Sequence, residues 1–253
     1  MASTLPLISA QRALFLDIDG TLIEFVSRPE NARIPTTLLA TLERLDAALN
    51  GALAVVSGRG MADIDRLFAP LKFSAAGQHG AEIRLTPDGD IETFAPNSTA
   101  FDVIESRVAR FIETHPGIRI EDKGRSVAFH YREAEHYRDP LRVLLIDAVA
   151  PYEADLQILD SHLCFDVKSR RVSKGAAINA LMAAPRFAAR NPIFFGDDRT
   201  DEDGFAAVNA MGGRSVLVGP ARESLAPERL ESPHDLREWL DQCAEALVPK
   251  PTA

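Results

Sequence analysis

The residues best suited to chemistry are two aspartates in the segment Asp17-Ile18-Asp19-Gly20-Thr21. The apolar run from Ala13 to Leu16 precedes them, which is typical of a buried parallel strand that ends in a loop. Two carboxylates this close would repel each other unless a cation or a proton shared the site. A hard divalent cation such as Mg²⁺ prefers oxygen ligands. The segment therefore predicts a metal-assisted carboxylate site, with Gly20 leaving room for the turn.

A second acidic segment, residues 197–203, has five Asp or Glu side chains among seven residues. Most runs of this kind are solvated surfaces. This run, however, directly follows the apolar stretch from Ile193 to Phe195, another predicted strand. Because ligands bind at the carboxyl ends of strands in open α/β sheets, we expect Asp197 to face the same crevice as Asp17.

Ser57 and Lys174 add polar groups of a different type. Ser57 follows the apolar stretch 52–56, and on its own it is best explained as a helix cap. Lys174 stands at the start of a predicted helix, where a cation is unfavourable unless it faces an anion. Combined with a metal ion, Ser57 and Lys174 could bind a phosphoryl group between the carboxylates.

The elements that must position these residues follow a β-α-β pattern. Helical spacing of leucines at 35–49 separates the first two strands, and the alternation resumes after Lys174. Between them, Pro87-Asp88-Gly89-Asp90 indicates a hairpin joining strands at 81–85 and 91–94. The other elements predicted in this middle part are a helix at 101–114, a strand at 126–131, a helix at 137–149 and strand material at 157–167.

These patterns predict an α/β fold in which a small domain interrupts a doubly wound parallel core. We place the core at residues 1–82 and 170–253 and the inserted α+β domain at 83–169, a size typical of a small domain. Cys164 and Cys243 lack metal-ligand spacing and are expected to be incidental thiols.

The overall charge excludes some classes of partner. The formal net charge of -9 disfavours nucleic acid, because that affinity depends on Lys and Arg neutralising many phosphates. We find neither a basic leader nor a run of the roughly 20 apolar residues that a membrane helix needs. We therefore expect a cytoplasmic protein that acts on a small molecule without membrane or nucleic-acid partners. The sequence does not fix the oligomeric state, and a monomer is compatible with it.

Four polar segments follow one another along the chain: Asp17-Ile18-Asp19-Gly20-Thr21, Ser57, Lys174 and Asp197-Asp198. Their types and order resemble the motifs of the haloacid dehalogenase-like (HAD) phosphatases. The resemblance implies that Asp17 is the nucleophile and Asp19 the general acid and base. It also implies that Mg²⁺ is held by Asp17, the backbone carbonyl of Asp19 and Asp197, with Asp198 and Asp201 in supporting positions. Ser57 and Lys174 would bind the phosphoryl oxygens, and the insertion would be a substrate cap.

Within that superfamily, the chain is most similar to the trehalose-6-phosphate phosphatases. The similarity lies in the segments Leu14-Phe15-Leu16-Asp17, Ser57-Gly58-Arg59, Gly77-Gln78-His79-Gly80-Ala81-Glu82, Glu121-Asp122-Lys123-Gly124, His130-Tyr131-Arg132 and Gly196-Asp197-Asp198-Arg199-Thr200-Asp201-Glu202-Asp203. The resemblance implies a hydrolase of trehalose 6-phosphate that acts last in trehalose biosynthesis. The residues it implies for substrate binding are Ser57, Gly58, Arg59, His79, Glu121, Lys123, His130, Arg132, Asp166 and Lys168.

One segment departs from that family pattern. Glu-x-(Lys/Arg)-Pro is usual before the lysine motif, whereas this chain has Asp166-Val167-Lys168-Ser169. The shorter carboxylate would reach about one methylene less far towards a sugar hydroxyl. Another sugar phosphate, such as a sucrose phosphate or mannosyl-glycerate phosphate, is the alternative substrate. The rival functions are a phosphomutase and a catalytically idle carbohydrate-binding or regulatory domain on the same fold, which the fold alone does not exclude.

Overall fold

The computed structural model describes residues 5–26, 29–93, 99–123, 126–161 and 163–247. The chain divides into two compact units, unit 1 (Met1–Glu92 and Lys174–Ala253) and unit 2 (Thr93–Ser173). The strands, in chain order, are β1 (Arg12–Leu16), β2 (Leu53–Val56), β3 (Ser74–Gly77), β4 (Glu82–Arg84), β5 (Glu92–Thr93), β6 (Arg119–Asp122), β7 (Ser126–His130), β8 (Leu156–Ser161), β9 (Cys164–Ser169), β10 (Asn191–Gly196), β11 (Arg214–Val218) and β12 (Glu228–Leu230). The helices are α1 (Thr36–Ala48), α2 (Met61–Phe68), α3 (Thr99–Ile112), α4 (Arg138–Val149), α5 (Lys174–Ala183), α6 (Glu202–Ala210) and α7 (Pro233–Leu247).

Unit 1 is organised around a sheet of strand order β12-β11-β10-β1-β2-β3-β4-β5 in the described part of the chain. The pairs from β12 to β3 are parallel. The chain proceeds from β1 through β2 to β3 on one side and from β10 through β11 to β12 on the other. The switch point therefore lies between β1 and β10, where doubly wound folds bind ligands. The predicted fold class is confirmed.

The sequence of the central strands explains why they occupy the middle of the sheet. The apolar runs from Ala13 to Leu16, Leu53 to Val56 and Ile193 to Phe195 are fully buried. Near-continuous apolar runs are expected where helices cover both faces of a parallel sheet. α1 packs against α7, and α5 packs against α6. None of the helices within the described ranges has the length and apolarity to cross a membrane.

The predicted hairpin belongs to a different sheet from the one we expected. β4 pairs antiparallel with β3, with Ala75 opposite Arg84, and β5 follows β4 at the edge of the unit 1 sheet. Unit 1 therefore continues to Glu92, past the boundary predicted after residue 82. The hairpin signal was correct locally, but its partner β3 lies upstream in the chain. Residue 94, the last residue of the hairpin strand predicted at 91–94, lies outside the described residues.

Unit 2 is an α+β module with an antiparallel sheet of order β6-β7-β9-β8 among its described strands. One face of this sheet packs in an apolar core with α3 and α4. The buried side chains of that core include Ile104, Val108, Val127, Phe129, Leu141, Leu145, Phe165 and Val167. Since side chains alternate along a strand, the opposite face carries the intervening residues.

Candidate active site

Two aspartates flank the switch point of the unit 1 sheet. Asp17 directly follows β1, Asp197 directly follows β10, and these strands pair in parallel with Leu16 opposite Phe195. The amide of Asp17 donates to the carbonyl oxygen of Phe195 at 3.0 Å, which continues the ladder to the site. One carboxylate oxygen each from Asp17, Asp197 and Asp201 lie within 4.8 Å of one another. The sheet topology thus brings the two acidic segments together.

Lys174, the first residue of α5, lies between two of these carboxylates. Its Nζ is 2.9 Å from Oδ1 of Asp17 and 2.6 Å from Oδ1 of Asp201, and all three residues are buried. Burial opposes the charge on Lys174, but the two carboxylates outweigh it and raise the lysine pKa. The helix-start lysine therefore faces anions, as its unfavourable position predicted.

The site carries more negative charge than this lysine balances. Burial and the neighbouring carboxylates raise the pKa of Asp17 against the effect of Lys174. Burial, Asp17 and Asp201 likewise raise the pKa of Asp197. A cluster of oxygen donors with excess negative charge fits a hard divalent cation such as Mg²⁺. Asp17 and Asp197 are the residues whose carboxylates would hold it.

Asp201 supports this cluster through hydrogen bonds on both of its oxygens. Its Oδ1 accepts from Lys174, and its Oδ2 accepts from the backbone amides of Asp197 and Asp198 at 3.1 and 3.0 Å. Asp198 accepts from the amide of Arg199 at 2.7 Å, which forms a capping box with Asp201. These two acidic side chains therefore have capping roles, and the supporting position expected for Asp201 agrees with its contacts.

Gly20 and Thr21 fit closely against the acidic loop. Gly20 has φ of +82°, and a Cβ at this position would lie 2.2 Å from Oδ2 of Asp197. Thr21 donates from Oγ1 to Oδ1 of Asp197 at 3.0 Å and lies 3.5 Å from Oδ2 of Asp17. Only glycine therefore fits at position 20. The hydroxyl of Thr21 links Asp17 to Asp197.

Arg59 contacts the predicted general acid, Asp19, and its predicted binding of substrate stays a prediction. Its Nε and Nη2 donate to the two carboxylate oxygens of Asp19 at 2.6 and 2.7 Å. Its Nη1 forms an ion pair with Asp63, on the first turn of α2. The structure thus brings Asp19 and Arg59 together in a part-buried bidentate ion pair, which the Ser57-Gly58-Arg59 motif alone did not predict.

The loop that contains Ser57 is supported by the turn Gln78–Gly80. Ser57 is buried, its Oγ accepts from the amide of Arg59 at 3.2 Å, and its carbonyl accepts from the amide of His79 at 2.9 Å. A Cβ on Gly58 would lie 2.7 Å from Cε1 of His79, so the imidazole packs on this glycine. His79 therefore supports the Ser57 loop, and a direct contact with substrate stays a prediction.

Glu82 has a structural role that was not predicted, although it lies in the motif Gly77-Gln78-His79-Gly80-Ala81-Glu82. Its Oε2 accepts from the amide of Met61 at 2.7 Å, and its Oε1 accepts from Nε2 of Gln78 at 3.0 Å. It thus joins the start of α2 to the turn beneath the Ser57 loop. In the sequence, its spacing of four residues from Gln78 was the signal that these two side chains could contact each other.

The polar residues predicted in the insertion share one face of the unit 2 sheet. Glu121 and Asp166 both lie opposite Ala128, on β6 and β9 respectively, so a small side chain separates them. Oε2 of Glu121 is 2.8 Å from Nε2 of His130, and this hydrogen bond lowers the pKa of Glu121. Nζ of Lys123 donates to Oδ1 of Asp166 at 3.1 Å.

Three other predicted residues of unit 2 can also be located. Lys168 lies opposite Ser126 on the polar face and is buried. Tyr131 packs in the apolar core, which confirms that it faces away from His130. Arg132 follows the end of β7, so strand alternation no longer fixes its direction. Gly124 of the Glu121 motif lies outside the described residues.

Comparison with known proteins identifies the family. The family described as trehalose-phosphatase matches residues 15–233. The chain belongs to the trehalose-phosphatase family. Trehalose-6-phosphate phosphatase of Escherichia coli (strain K12) is 38% identical over 245 residues, which cover 97% of this chain and 91% of that protein. The family resemblance and the assignment to the phosphatase class of hydrolases are confirmed.

Two further similarities extend this result. A probable trehalose-phosphate phosphatase of Sinorhizobium fredii is 40% identical over 208 residues, covering 82% of this chain and 78% of that protein. The C-terminal domain of Candida albicans trehalose-6-phosphate phosphatase superposes with a TM-score of 0.83 at 23% identity, covering 94% of this chain and 93% of that domain. At that identity the superposition supports the trehalose-phosphatase fold alone.

Proposed function

We propose that this protein hydrolyses trehalose 6-phosphate to trehalose and inorganic phosphate, the last step of trehalose biosynthesis, through an aspartyl-phosphate on Asp17. The observation that carries the proposal is the buried arrangement of Asp17 beside Lys174, with Asp197 and Asp201 around it. Family membership supports the same chemistry.

In the first step, a carboxylate oxygen of Asp17 attacks phosphorus in line with the bond to the sugar oxygen. That bond breaks, and Asp19 gives a proton to the departing sugar oxygen, which leaves as a hydroxyl. In the second step, Asp19 takes a proton from the water that attacks phosphorus, and the bond to the Asp17 oxygen breaks, which releases phosphate and restores the Asp17 carboxylate. Covalent catalysis of this kind divides one difficult displacement into two easier ones.

Ser57 and Lys174 would bind the non-reacting phosphoryl oxygens. The buried ammonium of Lys174 already lies beside the nucleophile, which limits reorganisation during the reaction. Mg²⁺ bound through Asp17, the Asp19 carbonyl and Asp197 would offset the repulsion between the nucleophile and the phosphate. Chelation with EDTA should therefore stop turnover, and added Mg²⁺ should restore it. Full activity in chelator would contradict this part of the proposal.

The polar face of the unit 2 sheet supplies the sugar recognition in this proposal. Glu121, Lys123 and Asp166 are close together there, and their hydrogen-bonding groups suit a molecule rich in hydroxyls. The additional candidates are His130, Arg132 and Lys168. Asp166 stands where the family pattern has Glu, and its ion pair with Lys123 keeps this shorter carboxylate beside Lys123 and Glu121. The Asp166 substitution is therefore compatible with trehalose 6-phosphate as the substrate.

A panel of phosphate esters tests the substrate directly. We expect phosphate release from trehalose 6-phosphate with kcat/KM at least about 10²-fold higher than from glucose 6-phosphate, sucrose 6-phosphate or mannosyl-glycerate phosphate, since recognition of several hydroxyls is worth a few kcal/mol. A preference for one of the other esters would identify that ester as the substrate and would leave the proposed aspartyl-phosphate mechanism unchanged. Failure to release phosphate from every ester would support the idle-domain alternative, and an isomerised sugar phosphate would support a mutase. A cytoplasmic location completes the proposal.

A further inference from the structure

Arg222, in the loop after β11, contacts the backbone of the acidic loop after β10. Its Nε and Nη2 both donate to the carbonyl oxygen of Asp197 at 3.2 Å, and Nη2 also donates to that of Asp198 at 2.8 Å. The side chain is largely buried, with 26% exposed. No motif in the sequence indicates this residue, because the contact joins two loops more than 20 positions apart.

The guanidinium is itself fixed in place by α6. Its Nη1 forms an ion pair with Oε1 of Glu202, and Oε2 of Glu202 accepts from the amide of Leu225 at 2.7 Å. Glu202 thus binds both the arginine and the loop that carries it. The planar guanidinium of an arginine can donate to two carbonyl oxygens and a carboxylate at once, whereas the compact ammonium of a lysine cannot do so in this geometry.

Arg222 and Asp201 hold the peptide group between Asp197 and Asp198 from both ends. Its carbonyl oxygen, that of Asp197, accepts from Arg222, while its amide, that of Asp198, donates to Oδ2 of Asp201 at 3.0 Å. The peptide plane therefore has little freedom to rotate. Since Asp197 leads into this peptide, the same bonds fix the backbone from which its side chain extends.

We propose that Arg222 is a positioning residue for Asp197 and thereby sets the affinity of the carboxylate cluster for a divalent cation. The inference rests on the proposed function in one respect, that this cluster binds Mg²⁺. Groups that orient metal ligands typically change metal affinity by about 10- to 100-fold when they are replaced.

Direct metal binding in the full chain tests this inference without turnover. We would titrate wild type, Arg222→Met and Arg222→Lys with Mn²⁺, follow free Mn²⁺ by electron paramagnetic resonance, and then displace it with Mg²⁺. We expect about 10- to 100-fold weaker binding for Arg222→Met and an intermediate loss for Arg222→Lys. Arg229→Met is the matched control, because Arg229 donates to a backbone carbonyl, that of Gly219, at 2.9 Å in the same segment but does not contact the acidic loop.

Several outcomes would decide the matter. Wild-type affinity in Arg222→Met would overturn the inference, as would an equal loss in Arg229→Met. If Arg222→Met does not fold, Arg222→Lys and Glu202→Gln replace it, and unchanged affinity in both would also overturn it. Wild type that binds Mg²⁺ but releases no phosphate from any ester would instead contradict the proposed function, because the Arg222 comparison concerns binding only.

Discussion

Both carboxylate oxygens of Asp19 accept hydrogen bonds from Arg59, at 2.6 Å from Nε and 2.7 Å from Nη2. Charge-assisted bonds in this bidentate geometry fix the plane of a carboxylate as well as its position. Asp63 binds the remaining edge of the guanidinium from α2. Arg59 therefore connects the proposed general acid to a helix of the scaffold, and its role can be tested by leaving-group dependence.

Arg59→Lys should lower kcat/KM for trehalose 6-phosphate about 10- to 100-fold, because a misdirected acid loses part of the rate that general acid catalysis supplies. The kcat/KM for p-nitrophenyl phosphate should fall much less, since nitrophenolate leaves without protonation and kcat/KM does not include the later hydrolysis step, in which Asp19 is the proposed base for both esters. Steady-state kinetics with both esters provides the measurement. Arg66→Lys is the control, because Arg66 also binds Asp63 but is exposed. Equal losses with the two esters would contradict the positioning role.

Asp17→Asn should reduce turnover of every phosphate ester by at least about 10³-fold, because an amide oxygen is a poor nucleophile. Mass spectrometry of acid-quenched protein should detect a phosphoryl adduct in wild type and none in the variant. The fold should persist, because the substitution removes a carboxylate that repels its neighbours. Substantial residual activity in a folded variant would contradict the nucleophile assignment.

Gly20→Ala should abolish activity, whereas Gly212→Ala should leave it intact. Both glycines have positive φ, +82° and +68°, so each alanine costs about 1–2 kcal/mol of backbone strain. A Cβ at residue 20 also meets Asp197, while one at residue 212 meets nothing within 4 Å. Urea unfolding with parallel assays separates the two effects. Equal activity losses would show that the contact with Asp197 is unimportant.

Lys123→Ala should weaken kcat/KM for trehalose 6-phosphate about 10- to 100-fold and affect p-nitrophenyl phosphate much less, because a site that loses a partner for sugar hydroxyls loses a few kcal/mol. The substitution also leaves the buried Asp166 without this ion-pair partner, so thermal unfolding must be measured alongside. Arg119→Ala, at an exposed position on β6 opposite His130, serves as the control. Parallel losses for both esters would contradict sugar recognition by Lys123.

The two cysteines should report on the opening of the two units separately. Burial raises the pKa of Cys243 in unit 1 to about 11 and also raises that of Cys164 in unit 2. Since the thiolate is the reactive form, labelling at pH 8 should be at least about 10²-fold slower than for a free thiol. Cys164→Ala and Cys243→Ala variants assign each rate. Fast labelling of either cysteine would contradict its burial.

Local patterns predicted most elements of the core. α1 (Thr36–Ala48) matches the helix predicted at 35–49, because its buried leucines follow helical spacing. β3 escaped prediction, because Ser-Ala-Ala-Gly lacks the bulky residues that favour strands, although the sheet buries it fully. The hairpin after it was predicted but placed in the wrong sheet, since pairing with β3 is not encoded in the hairpin itself.

Strand-end positions similarly predicted which acidic residues meet. Asp17 and Asp197 lie together because they directly follow the paired parallel strands β1 and β10, whose carboxyl ends meet at one edge of the sheet. Spacing could not predict that Arg59 turns to Asp19 or that Arg222 reaches Asp197. Both contacts depend on side chains that cross between separate loops.

The boundary between unit 2 and unit 1 has a consequence for protein engineering. Unit 2 ends at Ser173, and the next residue is Lys174, whose ammonium lies 2.9 Å from Oδ1 of Asp17, the proposed nucleophile. The other junction, between Glu92 and Thr93, lies within the exposed two-residue edge strand β5. A chimera that exchanges unit 2 for that of a relative could vary the sequence at the splice between Glu92 and Thr93. The splice between Ser173 and Lys174 must preserve the backbone that places Lys174. Evolution of new substrate preferences by domain replacement would therefore be constrained at one end only.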